Sequence, residues 1–530
     1  MTYGLSPGRD HRYAWHVTAA QWFLDGAGRG NVETSLDRRH SDGKAWTEGN
    51  TVVPLVHGVA YYAELHRGVS NMRDGDLLLF VDWRGDPDEQ LLGEPGSEIA
   101  RVLSRAAERG VDVRGLMWRS HLDRLQFSAT ENRHMGEDIN AAGGECELDM
   151  RVRPGGSHHQ KFVVLRHPGR PELDVAFVGG IDLCHSRRDD RDHHGDPQTQ
   201  PMAKVYGKRP PWHDIQLMVK GPAVGDVETV FRERWDDPRP LTRDPLRLLG
   251  DRLRKDEPRQ LRPLPPQLPD PEPVGEMPLQ LLRTYPKRLP GYRFAPKGER
   301  SVARGYTKAI RRARRLIYLE DQYLWSRHVA ETFAQALRDN EELRLIAVLP
   351  HHPDQDGYLS QPPNLIGRER AVDILRQAGG DRVAFYGLEN HAGVPVYVHA
   401  KVCTIDDTWA TVGSDNFNRR SWTHDSEVSA AVLDEGYARG LRTTLANEHL
   451  DQAEGGEVEL STMFEAFAES ARRLQQWHGV GRVGERPPGR LRPLAEPRLS
   501  PWTRIWATPM YRTLYDPDGR SAIQRLTRRY

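Results

Sequence analysis

Two His-x-Lys triplets are the residues of this chain best suited to carry out chemistry. One contains His159 and Lys161, and the other contains His399 and Lys401. With 22 His and ten Lys among 530 residues, random placement would give roughly 0.4 such triplets. Each triplet begins a strongly apolar stretch, and residues two apart in a strand share a face. The spacing therefore predicts two strands that each present an imidazole beside an ammonium group.

The chemistry that this pair of triplets suits is transfer of a phosphoryl group. Ammonium groups can hold the anionic oxygens of a phosphodiester while charge redistributes. One imidazole can attack phosphorus and form a phosphohistidine, while the other protonates the leaving alcohol and then activates water or a second alcohol. The two imidazoles must then differ in protonation, which unequal carboxylate partners can arrange. Because two lysines and a cationic histidine supply positive charge, we expect no cofactor and activity that survives a chelator.

The elements predicted around the triplets follow the same order in each half of the chain. Small residues and then an acid or amide follow each triplet, at Gly179–Asp182 and Gly413–Asn416. Alternating strands and helices are typical of an α/β protein, and we expect mainly parallel strands. Two such units predict two similar mixed or parallel-sheet halves around a pseudo-two-fold axis, with the active site between them. The predicted helices cover 59–73, 97–110, 131–142, 302–315, 328–338 and 368–377, and the predicted strands cover 76–83, 111–118, 157–166, 174–181, 316–323, 343–350, 382–388, 396–405 and 409–414.

A proline-rich stretch divides the chain. Repeated proline is incompatible with helix interiors and central strands, so residues 255–278 are predicted to be a linker or an extended surface strap. We therefore predict a first half over 1–254 and a second half over 279–480. Residues 481–530, rich in Pro and Arg, are predicted to be an irregular tail that wraps around the body.

The motifs resemble those of the phospholipase D superfamily, whose hallmark is two His-x-Lys-x4-Asp motifs on a duplicated fold. The second motif is complete, with Asp406 at its last position, whereas the first has Arg166 there. In the family that Asp lies at the far end of the strand, so we expect Arg166 to affect local support more than chemistry. The stretches FVGGIDLC, PWHDIQLMVKGP and LIYLEDQYL are similar to the branch shared with eukaryotic lipid enzymes.

The resemblance implies further site residues. Asp214 would orient one histidine and Glu427 the other, crosswise between the halves. Family precedent favours His159 as the nucleophile and His399 as the general acid and then base, although the sequence itself is nearly symmetric. The implied phosphate-binding residues are Gly180, Asp182, Ser414 and Asn416, with Asp406 as motif support.

The implied activity is hydrolysis of the head-group phosphodiester of a phospholipid, with transphosphatidylation when an alcohol replaces water. Three alternatives stay open. A nuclease of the same superfamily would share the triplets, but nucleic-acid binding usually needs a basic surplus, and 75 basic residues balance 75 acidic ones here. A cardiolipin-synthase-like transferase usually has N-terminal membrane helices. A non-catalytic binding member would have lost a motif residue, and Arg166 is the only departure of that kind.

Composition indicates where such a protein works. Three Cys in 530 residues argue against a disulfide framework and fit a reducing compartment. The N-terminus lacks the pattern of a signal peptide, and no window approaches a membrane-spanning run. We therefore expect a cytoplasmic protein that contacts a membrane only at its surface. The oligomeric state is left open, and the sequence is compatible with a monomer.

Two groups of residues carry weaker signals. The stretch 185–196 contains His193, His194 and several Asp, but no usual ligand spacing, so we expect a solvated loop near the mouth of the site rather than a metal centre. Loss of activity on chelation, restored by zinc or calcium, would favour the metal centre. Trp212, Trp325 and Trp422 lie near the motif loops and are predicted to contact acyl chains, to form the walls of the site or to belong to the core.

Overall fold

A computed structural model of the protein describes residues 18–120, 129–254, 261–357, 361–495, 499–527 and 530. The strands are β1 (Thr47–Val56), β2 (Leu77–Asp82), β3 (Asp112–Trp118), β4 (Glu145–Asp149), β5 (Phe162–Arg166), β6 (Val175–Gly179), β7 (Trp212–His213), β8 (Ile215–Lys220), β9 (Met277–Tyr285), β10 (Glu299–Arg300), β11 (Leu316–Glu320), β12 (Arg344–Val348), β13 (Val383–Glu389), β14 (Pro395–Val398), β15 (Val402–Ile405), β16 (Trp409–Gly413), β17 (Glu427–Leu433) and β18 (Leu491–Pro493). The helices are α1 (Ala19–Trp22), α2 (Gly26–Arg29), α3 (Gly58–Ser70), α4 (Ile99–Glu108), α5 (Ala129–Ala141), α6 (Ala223–Trp235), α7 (Pro245–Arg254), α8 (Ser301–Ile310), α9 (Arg327–Asp339), α10 (Gln361–Gly379), α11 (Arg419–Thr423), α12 (Glu435–His449), α13 (Met463–Gly479), α14 (Pro501–Met510) and α15 (Ala522–Leu526).

The two halves form sheets with the same strand order. The first runs β4–β3–β2–β5–β6–β8–β1, and the second runs β13–β12–β11–β15–β16–β17–β9. An antiparallel contact between β1 and β9 joins them. The predicted duplicated α/β fold is therefore confirmed. Only the first three strands of each order are parallel, because β5–β6 and β15–β16 are joined by connections too short for a parallel crossover.

Helices cover both faces of each sheet. In the first half α3, α4 and α5 pack on one face, and α8, α9 and α10 take the corresponding place in the second half. Helices α6 and α12 pack on the other faces, and Phe231 of α6 and Leu441 of α12 belong to one buried apolar cluster. Nearly every residue of α6 is buried, as expected of a helix inside a core. The halves therefore share a core.

The N-terminal residues pack on the second half rather than the first. Trp22 and Phe23 belong to the apolar cluster of α8 and α9. The buried Arg29 guanidinium donates from Nη1 to the Leu281 carbonyl at 2.9 Å and lies 3.1 Å from Glu299 Oε1. Residues 1–17, which the prediction placed in the first half, lie outside the described residues. The predicted boundaries between the halves stay a prediction.

Residues 261–276 of the predicted linker form an extended strap along α6, and residues 255–260 lie outside the described part of the chain. The indole N–H of Trp235 donates to the Arg262 carbonyl at 2.9 Å. Arg166 donates from Nη2 to the Pro269 carbonyl at 2.6 Å. The same guanidinium is buried and lies 3.2 Å from Asp174 and 3.1 Å from Glu228. Arg166 thus ties β5 to the strap and to α6.

The tail over 481–530 is more regular than its composition predicted. Strand β18 pairs with the edge of β13, and α14 packs on α10. Ser500 caps α14 by accepting the N–H of Thr503, and Pro501 occupies the first turn, where proline is tolerated. Tyr511 is buried and donates to the Trp325 carbonyl at 2.6 Å. Over the described residues, no helix has the length and apolar character needed to cross a bilayer.

Candidate active site

Each His-x-Lys triplet lies just before a strand rather than within one. Strands β5 and β15 begin one residue after each lysine, so the strand predicted over 157–166 begins later and the strand predicted over 396–405 is interrupted. The reason is that the backbone at each histidine bonds to the other half. The N–H of His159 donates to the Ser426 carbonyl at 2.9 Å, and that of His399 donates to the His213 carbonyl at 2.8 Å.

A carboxyl group from the opposite half contacts each of the two histidines. His159 Nδ1 lies 3.0 Å from Glu427 Oε2, and His399 Nδ1 lies 2.6 Å from Asp214 Oδ2. Asp214 directly precedes β8 and Glu427 begins β17, which are equivalent strands in the two sheets. Both contacts use Nδ1, so Nε2 of each ring is left for other partners. The site is built by exchange between the halves.

The two lysines are buried beside their histidines. Lys161 Nζ donates to the His159 carbonyl at 2.7 Å and lies 3.4 Å from Asp182 Oδ1. Lys401 Nζ donates to the His399 carbonyl. Burial disfavours the ammonium form and lowers the pKa of Lys401 to about 8. These lysines hold positive charge directly behind the two imidazoles.

Both imidazoles are disposed to be neutral. Burial, followed by the charges of Lys161 and Lys401, holds the pKa of His159 well below its usual value. Burial, Lys401 and Arg187 do the same to the pKa of His399, and Lys161 adds to this effect. Both lysines therefore act electrostatically on each histidine. Unequal protonation of the two imidazoles stays a prediction.

The carboxyl partners are affected by burial too. Burial and then Asp425 raise the pKa of Glu427 to about 8, and burial raises that of Asp214. The raised pKa favours the protonated form of Glu427 while His159 is neutral. A positive charge on His159 would lower the pKa of Glu427 and favour the carboxylate.

The predicted phosphate-binding residues are all buried, and phosphate binding by them stays a prediction. Ser414 Oγ donates to Glu427 Oε2 at 2.5 Å. Asn416 is buried, and its Oδ1 has no hydrogen-bond partner in the described part of the protein. A Cβ atom on Gly180 would lie 2.3 Å from Asp214 Oδ1. Glycine at this position therefore leaves room for the carboxylate that contacts His399.

Asp182 belongs to a buried pair of acids. Burial opposes its ionisation, but the charge of Lys161 lowers its pKa to about 2. Burial and the charge of Asp182 raise the pKa of neighbouring Asp82 well above its usual value. These opposite shifts favour Asp82 as the protonated member of the pair and Asp182 as the anionic partner of Lys161.

Asp406 lies at the far end of β15, away from the histidines. Its carboxylate accepts the backbone N–H groups of Arg314, Arg315 and Leu316 at 2.6, 2.8 and 2.9 Å. Three such bonds fix the turn that enters β11. The corresponding position in the first motif is Arg166, which bonds a carbonyl and two acids instead.

The two histidines line one cleft of about 430 Å³. Its walls include Trp83, Trp212 and Tyr323. The ring of Trp212 lies 4.9 Å from that of His399. Trp325 and Trp422 do not line the cleft, and both are buried. Of the three tryptophans considered from the sequence, only Trp212 reaches it.

Arg187 also lines the cleft and was missed by the sequence analysis. Its guanidinium lies over the ring of Trp212 at 3.8 Å and its Nη2 lies 3.9 Å from Asp182 Oδ2. The stretch 185–196 was expected to be a solvated loop, and this is wrong for much of it, including the buried Asp189. Asp189 accepts the N–H of Trp212 at 2.8 Å. This partner is distant in sequence, so the polar composition gave no signal of burial.

Two family models match the chain, one on each half. The model described as Phospholipase D matches residues 88–247, and the model described as Cardiolipin synthase, PLD-like domain matches residues 306–448. The chain belongs to the phospholipase D superfamily. Each matched range contains one His-x-Lys triplet, so superfamily membership accounts for the repeated strand order.

Curated relatives of this superfamily member include plant and amoebal phospholipases D. Phospholipase D alpha 1 of Oryza sativa subsp. japonica is 26% identical over 75% of this chain and 65% of its own length. Phospholipase D alpha 1 of Cynara cardunculus is 25% identical over 69% of this chain and 60% of its own length. Phospholipase D A of Dictyostelium discoideum is 28% identical over 68% of this chain and 31% of its own length. The chain thus spans 60% and 65% of these two plant relatives.

A solved structure shares the fold of the superfamily. The phosphatidylserine synthase of Haemophilus influenzae Rd KW20 superposes with a TM-score of 0.51 at 12% identity. The match covers 81% of this chain and 93% of that one. At this level of identity the likeness shows the fold alone.

Proposed function

We propose that this protein is a phosphodiesterase that hydrolyses the head-group ester bond of a phospholipid to phosphatidate and an alcohol. One observation carries the proposal. Two neutral histidines, each hydrogen-bonded through Nδ1 to an acid of the opposite half, face a single cleft. The names of the plant and amoebal relatives support the same substrate class.

The proposed reaction has two displacements at phosphorus. The lone pair on His159 Nε2 attacks phosphorus, and the bond to the head-group oxygen breaks. His399, which takes up a proton from solvent when the anionic substrate binds, gives that proton to the departing alcohol and then removes one from the water that releases phosphatidate from His159. The substrate phosphate brings a negative charge between the rings, which raises the pKa of His399 toward the value that an acid needs. An alcohol in place of water gives transphosphatidylation.

The cations of the site are proposed to hold the phosphate oxygens. Lys161 and Lys401 lie behind the rings, and Arg187 lies on the cleft wall. The phosphoryl group carries charge on its peripheral oxygens while the bonds exchange. Three fixed cations in a buried site can stabilise that charge without reorganising.

The proposed partner is a membrane surface, contacted by the C-terminal tail. Trp502 and Ile505 of α14 are mostly exposed, and residues 499–530 contain six Arg and two Asp. Exposed aromatic and aliphatic residues beside basic ones suit an anionic interface. The three cysteines are buried and free, which supports the proposal of a reducing, cytoplasmic location.

Purified protein incubated with mixed-head-group phospholipid vesicles should release free head groups and leave phosphatidate. With ethanol present, phosphatidylethanol should appear by mass spectrometry.

Membrane binding by the tail is tested by pelleting the same vesicles, which should carry the protein down. The double variant with Trp502→Ser and Ile505→Ser should reduce both pelleting and turnover of vesicle lipid, while turnover of a soluble short-chain substrate should be unchanged. Parallel incubations with single- and double-stranded DNA compare lipid hydrolysis with DNA cleavage and so test the nuclease alternative. Cleavage of DNA with intact lipid would favour the nuclease instead.

The pH dependence of kcat/KM should show a basic limb near pH 8. Lys401 has its pKa lowered to about 8 by burial, so the cation is present below that pH and is lost above it. The rate should then fall about tenfold per pH unit. Glu427 also has a pKa of about 8. Glu427→Gln removes that group, so a basic limb that persists in this variant belongs to Lys401, and a limb that disappears would contradict the assignment.

A further inference from the structure

Three buried imidazoles converge on one buried carboxylate behind the cleft. His57 Nε2 lies 2.8 Å from Glu448 Oε2, while His193 Nε2 and His213 Nδ1 lie 3.1 and 3.2 Å from Glu448 Oε1. The four ligand atoms all lie within 4.8 Å of one another. They come from the β1–α3 connection, the 185–196 stretch, β7 and the last turn of α12.

The three rings are arranged around a common point. The ring centroids of His57 and His193 are 4.8 Å apart, with an angle of 85° between the ring planes. Those of His57 and His213 are 5.1 Å apart, with an angle of 70°. The ring centroids of His193 and His213 are 5.6 Å apart, with an angle of 65° between the ring planes. Mutually edge-on imidazoles, each with one nitrogen turned to the same oxygen pair, are suited to share a tetrahedral ion.

One outer nitrogen has the partner that metal-bound histidines usually have. His213 Nε2 lies 2.6 Å from Glu320 Oε2, whereas His57 Nδ1 and His193 Nδ1 make no hydrogen bond within the described residues, and His193 Nδ1 lies 3.6 Å from Asp189 Oδ2. A carboxylate that takes the outer N–H fixes the tautomer, so the lone pair of the inner nitrogen points to the centre. His213 Nδ1 makes no hydrogen bond within the described residues, although it is fully buried.

Two further features need a positive charge or a strong ligand at this place. Glu448 lies in the last turn of α12, where the helix dipole disfavours an anion. His57 adopts φ 69° and ψ 159°, and His193 adopts φ 56°. Such backbone conformations are disfavoured for a residue with a side chain. A ligand bound by both histidines would offset that cost.

We propose that His57, His193, His213 and Glu448 form a closed four-coordinate site for a divalent transition-metal ion of the zinc class. Three imidazoles and one carboxylate match the ligand preference of such ions better than that of calcium or magnesium. The site is structural, because all four ligands are buried and leave no open position for substrate. It is independent of the activity proposed above.

The site stabilises the back of the cleft. His213 directly precedes Asp214, and its carbonyl accepts the N–H groups of His399 and Ala400 at 2.8 and 3.1 Å. Glu448 comes from the second half and His57 from the first. A bound ion therefore links the halves at the segment that carries the acid partner of His399. Since the ligands are buried, a chelator added briefly to folded protein should leave the ion in place.

Metal analysis of the purified full-length chain tests the proposal directly. After dialysis against metal-free buffer, elemental analysis by inductively coupled plasma mass spectrometry should find about one zinc-class ion per chain. His57→Asn and His193→Asn should each lose it, whereas His40→Asn, a histidine paired with Asp226 elsewhere, should keep it. Glu320→Gln should weaken binding roughly 10- to 100-fold by freeing the His213 ring.

Two measurements on the wild type guard against variants that fail to fold. Protein unfolded with chelator and refolded should melt at a lower temperature than protein refolded with Zn²⁺, and Co²⁺ should give the intense visible bands of a tetrahedral site. Absence of a bound ion, with no shift on adding Zn²⁺ or Co²⁺, would show a metal-free ion network and overturn the proposal. Full metal content in His57→Asn and His193→Asn would overturn it equally. Neither outcome depends on lipid turnover.

Discussion

Protein with His159 replaced by alanine should form no phosphoryl adduct with any substrate, and its turnover should fall about 10⁴- to 10⁶-fold. The reason is that His159 Nε2 is proposed to make the bond to phosphorus. Wild-type protein quenched in alkaline denaturant, digested without acid and weighed by mass spectrometry, should carry the phosphoryl group on His159, because the P–N bond of a phosphohistidine hydrolyses in acid. An adduct on His399 would reverse the roles, and no adduct under any trapping condition would indicate direct attack by water.

His399→Ala provides the complementary half of this test. The variant should still accept phosphate from a substrate with a good leaving group, because such a group needs no proton. The adduct should then persist, because no base remains to activate water. His167→Asn is a matched control, since His167 is also buried but contacts Asp174 at the far end of β5. Loss of turnover in that control would indicate general damage to the fold.

Removal of either crosswise acid should cost about 10²- to 10⁴-fold in turnover, because an amide cannot become the anion that stabilises an imidazolium. The two variants should differ in which step fails. Glu427→Gln should slow adduct formation with every substrate, because Glu427 contacts His159. Asp214→Asn should still form the adduct from a good leaving group and then hydrolyse it slowly, because Asp214 contacts His399.

Rapid-quench measurement of the adduct separates these steps. The burst rate reports attack on phosphorus, and the decay rate reports hydrolysis. The crosswise assignment fails if Asp214→Asn slows the burst with a good leaving group as much as with a natural lipid. It fails equally if Glu427→Gln leaves the burst unchanged and slows only the decay.

Local spacing made much of the fold and part of the site predictable. The His-x-Lys triplets, the repeated order of elements and the proline-rich strap are properties of short stretches, and each could be recognised without tertiary contacts. Strand interruption at His159 and His399 could not, because it depends on backbone bonds to Ser426 and His213 in the opposite half. An apolar run predicts a strand but carries no record of its bonding partner.

Long-range polar contacts explain what the sequence could not indicate. The guanidinium of Arg187 lies over the ring of Trp212, and His57 contacts Glu448, which is 391 residues away in the sequence. Charged and histidine-rich stretches usually predict exposed loops, because burying such groups is costly unless they are paired. Here the pairing partners come from other parts of the chain, so composition alone predicted solvent-exposed residues where the structure has buried ones.

The exchange of histidine and acid between the halves resembles the interface of a two-fold dimer, with one difference that matters. In a homodimer every contact is repeated, so one residue has to serve both copies of a position. On a single chain the copies are free to diverge. Asp406 secures its strand by collecting three backbone N–H groups, whereas Arg166 secures the equivalent strand by holding the strap and two acids. Covalent fusion thus allows the two halves to stabilise equivalent strands through different side chains.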